Sequence, residues 1–184
     1  MAVCAALTAT ALPVAPAEAK ATTRPDLERY FDAAGTSGTM VVRATGEGRP
    51  TTVIVGGRRA ARRYLPSSTF KIPNSLLAID RGVASGPEHP YPGPNPNYDV
   101  DGAPLLPTAC ESDLTLQTAF GMSCIPIYQR IARELGIPAY RRAVRAMRYG
   151  NREVDGAPLD EFWLRGPFAI SAVEQVRFLE RLRR

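Results

Sequence analysis

Ser68 and Lys71 are the pair of residues most able to do chemistry together. They stand three positions apart in a segment with helical spacing, and positions i and i+3 share a helix face, so the hydroxyl and the amine can meet. A serine hydroxyl is a weak nucleophile until a nearby base takes its proton. A lysine can be that base once burial favours its neutral amine. The start of a helix also offers free backbone N–H groups and partial positive charge where an oxyanion would form. The identity of residue 71 is itself informative: of 23 basic residues only Lys20 and Lys71 are lysines, and Lys20 falls in an N-terminal joint. Arginine does not deprotonate in a protein, whereas lysine can. Ser-x-x-Lys is nonetheless a common pattern, and chance is its plain alternative.

Other catalytic constellations have little material. His89 is the only histidine and lies between Glu88 and Pro90 in a loop, which leaves no Ser-His-Asp arrangement, no multi-histidine zinc site and no expected metal. It reads as a solvated surface residue.

A chain of 184 residues, 45% hydrophobic and 22% charged, is expected to form one globular domain. Residues 1–19 differ in character: a nearly uncharged run of Ala, Val, Leu and Thr ends at Ala17-Glu18-Ala19, which fits the small-residue cleavage rule of a secretory signal. The run is too short for a stable membrane span. The division is therefore a signal peptide at 1–19 and a domain at 20–184, secreted to the periplasm or outside the cell. Cleavage would remove one acid, Glu18, and no base, and so raise the net charge of +5 by one. The arginines are spread through helices that also carry acids, so no basic stripe marks a nucleic-acid surface. After cleavage Cys110 and Cys124 remain; an oxidising compartment permits them to pair, and their spacing alone does not decide it.

The elements that would position these groups follow from periodicity. Asp26 to Ala34 is predicted as a short helix with Leu27, Tyr30 and Phe31 on one face, after a polar joint at Ala21 to Pro25. Thr39 to Arg43 and Thr52 to Val55 read as a hairpin around Gly46, Gly48 and Pro50. Ser68 to Asp80 is helical and closes at Gly82. The Pro- and Gly-rich stretch Pro87 to Pro107 is a surface excursion. Helices are predicted at Leu116–Gly121, Ile125–Leu135 and Pro138–Met147. Ser171 with Glu174 makes a capping box for a last amphipathic helix.

The surrounding words sharpen the Ser68/Lys71 reading. Pro66-Ser67-Ser68-Thr69-Phe70-Lys71-Ile72-Pro73-Asn74-Ser75 resembles the active-site segment of class D (oxacillinase-like) serine β-lactamases and of the related penicillin-sensing domains. Ser123-Cys124-Ile125 stands where that family has Ser-x-Val, Tyr149-Gly150-Asn151 matches its Tyr-Gly-Asn, and Phe162-Trp163-Leu164, Gly166-Pro167 and Ile170-Ser171 resemble its loop over the active site and the helix after it.

The resemblance implies an α/β (α+β) fold of the serine β-lactamase and penicillin-binding transpeptidase type, with a helical subdomain from Ser85 to about Phe168 beside an incomplete antiparallel sheet. It implies catalytic roles for Ser68 as acylated nucleophile, Lys71 as general base, Ser123 as proton relay and Trp163 as indole donor. Phe70, Ile125, Tyr149, Asn151 and Leu164 are the implied pocket or substrate-binding residues, with Tyr149 and Asn151 equally readable as turn residues. The implied substrates are small β-lactams, and the implied cofactor is carbon dioxide or bicarbonate, held as a carbamate on Lys71 without any metal. No Lys-Thr-Gly follows Ser171, so the expectation is a member truncated before that motif, with impaired hydrolysis. The alternatives are a sensor that acylates without turnover and an inert fragment.

Overall fold

A computed structural model describes residues 20–46, 50–95, 99–100, 103–104 and 110–183. The signal-peptide reading at 1–19, the hairpin turn at 47–49 and parts of the Pro87–Pro107 excursion lie outside the described residues.

The described residues open with strand β1 (Lys20–Thr23), then a single 3-10 turn at Pro25–Leu27 and helix α1 (Arg29–Ala33). Strands β2 (Met40–Ala44) and β3 (Thr51–Val55) form the expected antiparallel hairpin, with Met40 opposite Val55 and Ala44 opposite Thr51. Their β-branched residues suit a pleated, half-buried surface. Two expectations need correction here. The polar joint at 21–25 is largely strand, because β1 pairs in parallel with β3 and makes the three-stranded sheet mixed, in the order β1-β3-β2. The helix expected over 26–34 is broken, and Tyr30 is exposed, since too few of its residues find a surface to bury against.

Helix α2 (Gly57–Ala61) and the short strand β4 (Arg63–Tyr64) lead to the Ser68 segment. There a 3-10 turn spans Ser67–Phe70, and α3 (Lys71–Asp80) begins at the lysine rather than at Ser68. The two-residue strands β5 (Pro90–Tyr91), β6 (Asp99–Val100) and β7 (Ala103–Pro104) punctuate the excursion, and β8 (Leu114–Thr115) pairs with β5. His89, expected as solvated, is half-buried: its Nδ1 accepts the Ser85 backbone N–H at 3.2 Å, and its ring meets the Tyr91 ring at 5.1 Å.

Helices α4 (Leu116–Gly121), α5 (Ile125–Leu135) and α6 (Ile137–Ala146) make the helical side. α5 turns Ile127, Tyr128, Ile131 and Ala132 inward, all fully buried, and packs on α3 and α6. Strand β9 (Ile170–Ser171) pairs antiparallel with β4 and runs into α7 (Ala172–Leu182), which lies on β2 and α2. The capping box is present: the Glu174 N–H donates to Ser171 Oγ at 3.2 Å, and the Ser171 N–H to Glu174 Oε2 at 2.9 Å. The same carboxylate receives Arg63 of β4 at 2.6 Å, and Arg43 of β2 pairs with Glu180 of α7 at 2.8 Å. Among the described residues no helix is long and apolar enough to cross a membrane.

The centre of the core is Phe70. Its ring meets Tyr140, Tyr149, Phe162, Trp163 and Phe168 at centroid distances of 5.1 to 6.0 Å. Since Phe70 lies between Ser68 and Lys71, the aromatic core holds that turn from beneath, and each such pair adds about 0.5–1.5 kcal/mol beyond area burial.

Candidate active site

The turn that carries Ser68 is tied at both ends. Pro66 O accepts the Thr69 N–H at 3.0 Å and the Thr69 hydroxyl at 2.6 Å, which tightens the turn. Ser67 has φ 47°, a left-handed conformation that a residue with a Cβ adopts only when its surroundings demand it. The demand is visible: the Ser67 N–H donates to Trp163 O at 3.0 Å. The Trp163 loop and the Ser68 turn are thereby joined through the backbone, as well as through the Phe70–Trp163 stack at 5.9 Å.

Three polar side chains then converge. Lys71 Nζ donates to Ser68 Oγ at 3.0 Å and to Ser123 Oγ at 2.7 Å, and the two hydroxyl oxygens lie 2.9 Å apart. Ser68 is exposed, while Lys71 is only 3% exposed. Burial pushes the Lys71 amine down to about 8, with no carboxylate contributing an opposing shift. A position at the first turn of α3 disfavours a cation further. The arrangement is a hydroxyl facing solvent, with a partly neutral amine behind it and a second hydroxyl bridging to both. It can remove the Ser68 proton and return a proton through Ser123.

Ser123 reaches this place from the turn between α4 and α5. Its φ is 61°, its N–H donates to Phe120 O at 3.1 Å, and the Cys124 N–H donates to Ala119 O at 2.9 Å. Cys124 is disulfide-bonded to Cys110, with their Cα atoms 5.7 Å apart, which settles the pairing left open above.

The remaining residues singled out by the sequence fall into two groups. Phe70, Ile125 and Trp163 are buried, and Leu164 is half-buried against the hydrophobic core that contains Phe70 and Trp163. For Tyr149 and Asn151, readable either as pocket or as turn residues, the contacts are structural. Tyr149 is fully buried behind Phe70, against Phe168 and Phe178, and burial pushes its hydroxyl up to about 12. Asn151 clamps the return of the Trp163 loop: its Nδ2 donates to Pro167 O at 2.7 Å, and its Oδ1 accepts the Ala169 N–H at 3.0 Å. Gly150 beside it has φ 53°, and a Cβ there would collide with the Ala169 carbonyl.

One contributor was missed. The Lys71 amine sits 5.4 Å from the centre of the Tyr128 ring, and the Tyr128 hydroxyl is 2.9 Å from Ser75 Oγ. Tyr128 reads in sequence as one more apolar residue of an amphipathic helix. Ser75, four residues after Lys71 on the same helix face, was the available clue. Among the described residues no cluster of three or more His, Cys, Asp or Glu side chains could hold a metal ion.

Residues 42–184 match the penicillin binding protein transpeptidase domain. The chain belongs to that family. Within the transpeptidase-domain family its homologues are class D serine β-lactamases. It is 42% identical over 124 residues to β-lactamase OXA-10 of Pseudomonas aeruginosa, a match covering 67% of this chain and 44% of that protein. It is 40% identical over 125 residues to β-lactamase OXA-48 of Klebsiella pneumoniae, covering 68% and 44% respectively. Among solved structures it resembles FUS-1 (OXA-85), a class D β-lactamase from Fusobacterium nucleatum subsp. polymorphum, with TM-score 0.74 and 30% identity over 88% of this chain and 63% of that one. The OXA-10 and OXA-48 matches thus each span under half the length of the relative. The mixed α/β transpeptidase and β-lactamase fold expected from the motifs is the fold observed.

Proposed function

We propose that this domain is a serine β-lactamase that opens β-lactam antibiotics through an acyl-enzyme on Ser68. The observation that carries the reading is the Ser68–Lys71–Ser123 triangle, with every side at hydrogen-bond distance and one corner a desolvated amine. Lys71 takes the Ser68 proton as Oγ attacks the strained carbonyl. The Ser68 backbone N–H supplies one oxyanion donor. Ser123 passes the proton to the departing ring nitrogen, and the base then activates water to release the acid. Trp163, Phe70, Ile125 and Leu164 keep solvent from the amine. Tyr149 and Asn151 act through position, one as core and one as loop clamp.

The family resemblance also implies a carbamate on Lys71, and the residues present fit that group. Only a neutral amine combines with carbon dioxide, and an amine with its midpoint near 8 is neutral in about one molecule in ten at pH 7. When bound, the group supplies an anionic base in place of the amine, with Trp163 as the assigned N–H donor to it. Export through the 1–19 segment is supported by the Cys110–Cys124 disulfide, which suits an oxidising compartment.

The family match to transpeptidase domains favours one second reading, a penicillin sensor that acylates without turnover. Mass spectrometry after exposure to benzylpenicillin tests both. The expected result is an adduct on the Ser68 peptide, absent in Ser68→Ala, that disappears with release of penicilloic acid faster when bicarbonate is added. An adduct that persists makes the domain a sensor. Equal labelling of Ser68→Ala would overturn both readings.

A further inference from the structure

We propose that the Cys110–Cys124 disulfide is a positioning device for the reaction, holding Ser123 where its hydroxyl serves Lys71 and Ser68. The inference rests on the reading of Ser68 as nucleophile and adds to it two residues outside the known motif roles. Three observations combine. Ser123 occupies a left-handed backbone conformation at φ 61°, unfavourable for any residue with a Cβ, so something must hold it there. The backbone of the turn is held by the Ser123 N–H to Phe120 O and the Cys124 N–H to Ala119 O. The residue immediately after it is bonded covalently to Cys110 across 14 residues of chain, and both cysteines are buried, at 1% and 0% exposure. Cys124 therefore cannot rotate or translate freely, and the Oγ attached one residue earlier stays 2.7 Å from Lys71 Nζ and 2.9 Å from Ser68 Oγ.

The α4–α5 turn has no glycine at the left-handed position. Glycine would adopt φ 61° without strain but would bring no hydroxyl. A serine there supplies the hydroxyl and needs an external brace, and the disulfide is the brace adjacent to it. Breaking it lets the turn relax toward ordinary serine backbone geometry and withdraws the hydroxyl from the triangle. The substrate-facing surface is left alone, so the loss falls on the chemical step rather than on binding.

The decisive experiment is a double-mutant cycle on the full chain, reading the rate at which Ser68 is acylated by benzylpenicillin. Cys110→Ala/Cys124→Ala should slow acylation roughly tenfold, because a displacement of about an ångström costs this much or more, with the half-saturating concentration little changed. In a Ser123→Ala background the same cysteine changes should alter the rate by less than about twofold, the scatter expected of such cycles. A cysteine effect that multiplies fully onto Ser123→Ala would overturn the proposal, since a general structural staple would act whether or not the Ser123 hydroxyl exists. Equal rates with and without the disulfide would also overturn it. Should the double-alanine protein melt below assay temperature, reduction of wild-type and Ser123→Ala protein by a water-soluble phosphine provides the same comparison: the phosphine takes one oxygen from water to become its oxide, and the disulfide gains two hydrogens to give two thiols. Reoxidation must then restore the rate. If oxidised wild-type protein is not acylated at all, the reading of Ser68 itself fails and the proposal falls with it.

Discussion

The Nζ atom of Lys71 lies closer to Ser123 Oγ, at 2.7 Å, than to Ser68 Oγ, at 3.0 Å. A lysine that only activated Ser68 would gain nothing from this second hydroxyl. In the proposed mechanism the amine must also send the proton onward, and Ser123, on the turn between α4 and α5, stands within reach as the outlet.

Proton traffic through a desolvated amine makes the rate depend on pH in a stated direction. Burial lowers Lys71 to about 8, so below that value the amine holds its proton and cannot act as a base. In buffer stripped of carbon dioxide, acylation of Ser68 should rise about tenfold per pH unit up to near pH 8 and then level off. A flat profile between pH 6 and 9 contradicts the assignment. Stability follows the same group. The unfolded chain keeps the Lys71 proton up to about 10.5, so folding is favoured increasingly as pH rises from about 8 towards 10.5.

Tyr128 tunes that amine. Its ring face attracts a cation and thus opposes the desolvation that neutralises Lys71. Tyr128→Leu removes an interaction of about 0.5–1 kcal/mol and should move the acylation midpoint down by roughly half a pH unit. Tyr128→Phe keeps the ring but loses the hydrogen bond with Ser75, and should leave the midpoint almost unchanged while lowering Tm. The pH profiles of the two variants distinguish them.

Much of the site was legible because it is local. Ser68 and Lys71 meet by helical spacing, the capping box at Ser171 and Glu174 is a four-residue pattern, and Ser123 was found through the resemblance. What stayed hidden depends on contacts between distant segments. The polar sequence Lys20-Ala-Thr-Thr has no strand alternation, and it becomes strand only because β3 offers an open edge. Tyr128 joins the site only because α5 packs on α3. The left-handed turn at Ser67 is anchored by Trp163, almost a hundred residues away, whose carbonyl takes its N–H.

Acid stability should report the start of α7. The Arg63 guanidinium, together with the Ser171 hydrogen bonds, holds Glu174 at about 2 rather than 4.5. Its contribution is fully present above about 4.5 and is lost as pH falls towards 2. Glu174→Gln should lower Tm at pH 7 and flatten the fall in Tm between pH 5 and 2.5. A parallel fall in both proteins would show that the pair adds nothing.

The loop carrying Trp163 should loosen without Asn151. Asn151→Ala leaves the Pro167 carbonyl and the Ala169 N–H without their side-chain partners, at a cost of about 1–3 kcal/mol for each that stays unsatisfied. Limited proteolysis should then cut within residues 152–169 first. Phe70→Ala, which empties the centre of the aromatic core, should cost about 3–5 kcal/mol and abolish the cooperative melt in near-ultraviolet circular dichroism.

If the group behind Ser68 must be able to lose a proton, Lys71→Arg removes that ability directly, since arginine stays protonated. With the fold checked by circular dichroism, Ser68 acylation by benzylpenicillin in the Lys71→Arg protein should fall by at least about a hundredfold. Acylation at the wild-type rate would contradict that requirement.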